Sequence, residues 1–462
     1  MTPQVRAAVA VGVPVFVGTL AFVAGVVLYF PGWVSFDSAF QYWQVRSGHA
    51  SNLSPVAMTA LWTLVHQAWP STGAMLCLHL ALYWTGIVLL AHEFWTTAAS
   101  RSLAILVAGL VPPVVVILGH LWTDASLIAT MTFAFALTIA GWRRRGRWLL
   151  LLALPVIGYA GAVRHNSLVA IVPLCLLWVH AWRAATAQRP DRPLPARPWV
   201  ALGGAALIVA FAFGGGRVLD RALVEERVST WAIGALWDLA AISLDTGTLL
   251  MPAPSLTPGT SLETLRAAYT PLTTVPLFYG PGRVRNGLGA ELFSPDELAQ
   301  VRQGWIDAIA AHPLSYLQHR ARVSRHLFGS QRNGLEGLFF VPTVVPYRDN
   351  PPPEPALSTW SQPWAALLRR TRGWMAFAPA TYVVLATVAL AWGVRHRTED
   401  AGRIALALAG SGLLLVAPLT LFAPSAEMRY CGWLYTASVL AAGVIAATRG
   451  PGSFARRRAR AR

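Results

Sequence analysis

The sequence predicts an all-α polytopic membrane protein: about ten transmembrane helices, surface helices in the first outer loop, and one large outer segment. Three observations predict it. Hydrophobic residues make up 55% of the 462 residues and charged residues 12%, roughly half the charge of an ordinary soluble domain. Apolar runs of about 20 residues, the length needed to span a bilayer, recur along the chain. The 37 basic residues, all arginine, exceed the 20 acidic ones and cluster between the apolar runs, the pattern of cytoplasmic loops. These features exclude a disordered chain and argue against a soluble enzyme. A nucleic-acid partner is not expected, because that needs a basic face on a soluble fold. Cys77, Cys175 and Cys431 lie in or beside apolar runs with no CxxC pair, so neither a disulfide framework nor a zinc site is expected.

The first run, 7–30, ends in Leu28-Tyr29-Phe30-Pro31 rather than in small residues, and reads as a retained anchor rather than a cleaved signal. Further spans are expected at 73–95, 102–119, 124–141, 148–163, 167–183, 199–216, 374–394, 403–422 and 429–447. Arginines at 143–147, 183–197, 395–403 and 449–462 can all face the cytoplasm if the N-terminus does. Residues 55–69 are apolar but short; crossing there would invert every later loop, so they are expected as an amphipathic surface helix. The chain thus divides into an N-terminal transmembrane module, 1–216, with its first outer loop at 31–72. An extracytoplasmic segment follows at 217–373, then C-terminal transmembrane helices at 374–447 and a basic cytoplasmic tail at 448–462. Gly214-Gly215-Gly216 reads as a flexible exit from a span, because it lacks the strand–loop–helix context of a phosphate loop.

Ionisable residues at membrane depth are expensive and mark functional candidates. Asp37, in Phe36-Asp37-Ser38, is the first acid of the chain; it suits a general base and equally an N-cap. Asp124, in Trp122-Thr123-Asp124, suits a cap or the positioning of an acceptor or a divalent cation. Arg164-His165-Asn166 departs from the positive-inside pattern; it suits a lipid phosphate or a snorkelling arginine. Glu427-Met428-Arg429-Tyr430 repeats that theme, with a structural Glu–Arg pair as the other reading. In the outer segment, His312-Pro313 to Arg320 predicts a helix to about 311, a break at Pro313, and a second helix to about 327. His312, Tyr316 and Arg320 are its candidate contacts, against a solvated basic face on a membrane-surface helix.

In their order along the chain these motifs resemble the GT-C superfamily of membrane glycosyltransferases. The nearest likeness is to the protein O-mannosyltransferase and aminoarabinose transferase branch and its bacterial relatives. Asp37 matches the family's essential aspartate in the first outer loop, and Ser54-Pro55-Val56-Ala57-Met58-Thr59 resembles the start of its second surface helix. Relatives often carry His-Pro where this chain has Ser54-Pro55, and an acidic pair where it has Asp37 alone. Trp122-Thr123-Asp124 resembles the second acidic motif, and Arg164-His165-Asn166 and Arg429-Tyr430 resemble motifs near the lipid-phosphate site.

The resemblance implies an inverting glycosyltransferase at the outer face of the cell membrane, both termini being cytoplasmic. It implies a polyprenyl-phosphate sugar donor and an acceptor hydroxyl on a lipid, a cell-wall glycan or a protein. Asp37 would be the base; Arg164, His165, Asn166, Arg429 and Tyr430 would hold the donor phosphate; Asp124 would position the acceptor or a cation. The residues leave metal dependence open: two acids in separate loops fit a divalent cation or none, and no other cofactor is implied. Two other classes use similar outer arginines: a transporter or flippase of a lipid-linked glycan, and a glycan ligase or polymerase using a lipid diphosphate.

Overall fold

The computed structural model describes residues 3–164, 166–187, 198–280, 282–329, 340, 342 and 344–449. His165, the arginines at 189, 192 and 197, and the tail beyond 449 lie outside the described residues. The chain is helical almost throughout, as the sequence predicts. In order it forms α1 (Pro3–Tyr29), α2 (Phe36–Ser47), α3 (Val56–Ala68), α4 (Thr72–Phe94), α5 (Ala98–Gly109), α6 (Pro112–Leu118) and α7 (Thr123–Arg144). These lead to α8 (Arg147–Ala162), α9 (Ser167–Ala170), α10 (Val172–Thr186), α11 (Pro198–Leu223) and α12 (Thr230–Thr246). The segment 217–373 continues with α13 (Leu262–Ala268), α14 (Val275–Tyr279), α15 (Pro295–Ala311) and α16 (Pro313–Phe328). The C-terminal part holds α17 (Ser361–Thr371), α18 (Pro379–Arg395), α19 (Asp400–Val416), α20 (Leu419–Phe422) and α21 (Gly432–Arg449).

Seven helical stretches among the described residues are long and apolar enough to cross a membrane. They are Ala8–Tyr29, Thr72–Phe94, Thr123–Arg144, Ser167–Thr186, Pro198–Leu223, Asp400–Phe422 and Met428–Thr448. This is a multi-pass membrane protein. Burial separates centre from rim: the apolar window of α7 is 94% buried, whereas those of α1 and α11 are 11% buried. Exposed Phe16, Leu20, Leu207 and Phe211 on the two rim helices would be an aggregation face in water and are at home in lipid.

Two sequence expectations are corrected. Residues 102–119 are not one straight helix: α5 and α6 meet at a 68° bend. Pro112 and Pro113 are the cause, since proline lacks the N–H that continues a helix and clashes with the preceding turn. Gly214-Gly215-Gly216 is no exit, because α11 runs through it to Leu223. Beside the seven long helices, the bent pair and two shorter apolar helices, α8 and α18, stand at the other three expected spans. The break in the outer segment falls where expected, with α15 ending at Ala311 and α16 starting at Pro313.

Small residues set the closest helix contacts. A Cβ added at Gly86 of α4 would meet the Phe133 nitrogen of α7 at 3.0 Å, and one at Gly393 of α18 would meet the Leu406 nitrogen of α19 at 2.8 Å. Such close approach is how apolar helices associate where hydrophobic burial gives no drive. At one end of the bundle Glu93, the second acid of the chain, is buried and paired with Arg144 at 2.6 Å. It clamps the ends of α4 and α7 together.

Loops far apart in sequence gather at the opposite end. Strand β1 (Ala50–Ser51), after α2, pairs in parallel with β2 (Val224–Glu226), after α11. Isolated bridges join Trp33 to His120, Val34 to Val344 and Thr273 to Ser425. The first loop, the 217–373 segment and the loop before α21 thus share one end. Helix α3, at 13 residues, is only about 20 Å long, too short to cross, and it packs against α2 and α4 through buried Met58 and Trp62.

Candidate functional site

The gathered end carries the charged residues. Asp37 lies in the first turn of α2, two residues past the cap position, Ser35. Asp124 lies in the first turn of α7, whose cap position is Trp122. Neither aspartate occupies the N-cap, and each faces an arginine instead. The N-terminal end of a helix favours a carboxylate there. Arg164 follows α8 at the break before α9, and Asn166 ends that break. Arg429 and Tyr430 sit in the short turn that opens into α21.

From these starting points the side chains converge. Arg429 Nη2 lies 2.7 Å from Asp37 Oδ2, and its Nε donates to Glu427 Oε2. Arg164 Nη1 donates to Asp124 Oδ1, and its Nε donates to Asn166 Oδ1 at 3.3 Å. Tyr430 links the two pairs, its ring lying 5.1 Å from the Arg164 guanidinium and 5.4 Å from that of Arg429. Ser425 holds both Glu427 Oε1, at 2.8 Å, and the Tyr430 hydroxyl, at 2.9 Å. Asn166 also donates to the Leu415 carbonyl at 3.2 Å, tying the break to the end of α19.

An aromatic column supports the cluster from below. The Arg429 guanidinium lies over the Trp122 ring at 4.6 Å. Trp122 stacks on His120 at 3.6 Å, His120 meets Trp33 edge-on at 5.1 Å, and Trp33 meets Tyr29 at 5.1 Å. Trp122 Nε1 donates to Ser35 Oγ at 2.7 Å, and Ser38 Oγ donates to the Leu121 carbonyl at 3.0 Å. These bonds fix the start of α2 against the start of α7, and so fix Asp37 relative to Asp124.

Exposure is graded. The Asp124 side chain is 4% exposed, Arg429 13%, Arg164 15% and Glu427 16%, but Asp37 is 58% exposed. Asp37 is the carboxylate of the cluster most open to solvent. Buried charges persist only when paired and hydrogen-bonded, and here two guanidinium groups serve three carboxylates. The acidic excess lies at the exposed edge. A divalent cation shared by Asp37 and Asp124 would have to compete with both arginines, and the described residues contain no group of three or more His, Cys, Asp or Glu arranged to hold one.

Comparison with family models, with curated proteins and with solved structures finds no match. Of the sequence candidates, Asp37, Asp124, Arg164, Asn166, Arg429 and Tyr430 come together; His165 lies outside the described residues.

His312, Tyr316 and Arg320 do not join them. His312 is the half-buried junction of α15 and α16. The Tyr316 hydroxyl donates to the Leu421 carbonyl at 3.3 Å, which packs α16 on α20. Arg320 does not face headgroups or a ligand: it is 3% exposed and donates to Asp238 of α12 at 2.7 Å and to the Ala423 carbonyl at 2.9 Å. His319 completes this second cluster, 3.2 Å from Asp238, with Tyr269 Oη 2.8 Å from its Nδ1. Burial holds the His319 imidazole below the usual histidine range against the pull of Asp238. Asp238, which also accepts from Trp305 at 3.0 Å, was not a sequence candidate. Its signal was a lone acid in the apolar run Ala232–Ile242. The contacts of Arg320 and Asp238 fasten the outer segment to the bundle.

Proposed function

We propose that this protein is an inverting membrane glycosyltransferase that moves a sugar from a polyprenyl-phosphate donor to an acceptor hydroxyl at the outer face of the cell membrane. One observation carries the reading: Asp37, Asp124, Arg164, Asn166 and Arg429, drawn from four separate motifs, form one contact network at a shared end of the bundle. The resemblance to the GT-C superfamily names those residues; their mutual contact is the independent support.

In this mechanism the exposed Asp37 takes the proton from the acceptor hydroxyl. The hydroxyl oxygen bonds to the anomeric carbon from the face opposite the phosphate. The carbon–oxygen bond to phosphate breaks, and polyprenyl phosphate leaves with the electron pair. Charge builds on the phosphate oxygens, where Arg164 and Arg429 stabilise it. A phosphate arriving at Arg429 competes with Asp37 for the guanidinium, so donor binding frees the base. Asp124 holds Arg164 in position. The prenyl chain lies between helices, and soluble nucleotide sugars do not serve. In the accompanying topology the bent α5–α6 pair and the shorter α8 and α18 also cross, giving ten passages with both termini cytoplasmic and the charged cluster outside.

The test uses purified protein in lipid vesicles with a panel of labelled polyprenyl-phosphate sugars, following release of polyprenyl phosphate with membrane extract as acceptor. Wild-type protein releases it, and Asp37→Asn loses about 10²–10⁴-fold in rate while still binding donor. Binding without release from any donor would favour a flippase; transfer only of a whole glycan from a diphosphate would favour a ligase.

A further inference from the structure

Helix α17 has two faces. The inner face, Ser361, Ala365 and Leu368, is buried, and Trp364 Nε1 donates to the Tyr29 hydroxyl at 2.8 Å. Tyr29 ends α1, whose apolar run is long enough to cross a membrane, so α17 is pinned at the level where that run ends. One exposed edge is apolar and uncovered. Trp360 is 69% exposed and Leu367 is 52% exposed, seven residues apart on one helical line. Trp374 and Met375, just beyond the helix, are 63% and 70% exposed. Arg369 and Arg370 stand exposed beside them.

Tryptophan and arginine on an amphipathic helix at the end of a spanning run are the signature of an interfacial element. The apolar helix α18 begins at Pro379, a few residues on, so the chain re-enters the apolar zone from this level. We propose that α17 and the turn after it lie in the membrane interface. Trp360, Leu367, Trp374 and Met375 enter the boundary between headgroups and acyl chains, and Arg369 and Arg370 contact anionic headgroups. This seat does not depend on the reaction run at the charged cluster. Through Trp364 and Tyr29 it abuts the aromatic column that ends under Arg429.

The experiment attaches a nitroxide at Leu367→Cys or Gln362→Cys in the full chain, reconstituted in vesicles of phosphatidylcholine with or without phosphatidylglycerol. Unmutated protein, labelled in parallel, corrects for Cys77. A label at 367 is expected to be several-fold more accessible to oxygen than to a water-soluble nickel complex, with the order reversed at 362. Arg369→Gln with Arg370→Gln should raise nickel access at 367 in phosphatidylglycerol vesicles and leave it unchanged in phosphatidylcholine. Equal nickel access at 367 and 362 would overturn the proposal, because the stripe would then face water. So would spin–spin broadening at 367 that vanishes on dilution with unlabelled chains, because a second copy would then cover it.

Discussion

At the scale of single residues, the charged cluster separates buried, paired side chains from the exposed Asp37. Asp124 is the deepest charge and depends on Arg164. Removing one partner of a buried pair leaves the other uncompensated, at a cost of about 3–5 kcal/mol. Arg164→Ala should therefore lower the thermal unfolding midpoint in detergent, and adding Asp124→Asn should recover much of the loss. If the single variant unfolds like wild type, Asp124 does not need its partner. Asp37, mostly exposed, should behave differently: Asp37→Asn changes the rate and leaves the midpoint nearly unmoved. His319 gives a pH prediction. Its native pKa lies below the histidine range because of burial, so below about pH 6.5 the unfolded chain binds a proton that the native chain resists. Stability then falls as pH drops through that window and is flat above it. Asp238, Arg320, Arg322 and Tyr269 all face this group. His319→Gln should remove the acid slope in an unfolding series from pH 7 to pH 5; an unchanged slope would assign the acid lability to another group.

At the scale of elements, the helices that matter most for the site are positioned by close backbone contact. Gly86 lets α4 lie against the backbone of α7, and α7 carries Asp124 at its start. Overpacking a tight contact costs about 1–3 kcal/mol. Gly86→Val should lower the unfolding midpoint and reduce the folded yield, whereas Gly158→Val, with open space around its Cβ position, should do neither. The bend between α5 and α6 was not legible as a bend. Its prolines stand in the sequence, but apolar composition alone cannot tell a broken passage from a straight one. The motif residues were legible one by one, because an acid or arginine beside an apolar run stands out. Their partners were not. Arg320 and Asp238 lie 82 residues apart, and only packing shows that the arginine is spent on a buried pair rather than on a ligand.

At the scale of the whole molecule, the arginine loops and the gathered loops define two ends. The clamp of Glu93 with Arg144 lies at one end, and the charged cluster, β1 with β2 and the outer segment lie at the other. In intact cells, single cysteines at position 49 or 290 should react with an impermeant maleimide, whereas one at 145 should react only after permeabilisation. The opposite pattern would put the cluster at the cytoplasmic face and remove the proposed donor geometry.

Composition and the spacing of apolar runs by themselves determined that the chain is an all-helical membrane protein, and marked most of the few polar residues that meet in the charged cluster. The physical reason is that lipid tolerates neither unpaired backbone nor scattered charge, so span and exception are both written in the order of residue types. Tertiary structure alone decided that Asp37 reaches Arg429 and Asp124 reaches Arg164, and that Tyr430 and Trp122 hold the two arginines in one cluster. Such pairings depend on how helices cross and on which loops meet. That is settled by side-chain packing between segments hundreds of residues apart, and it leaves no local mark in the sequence.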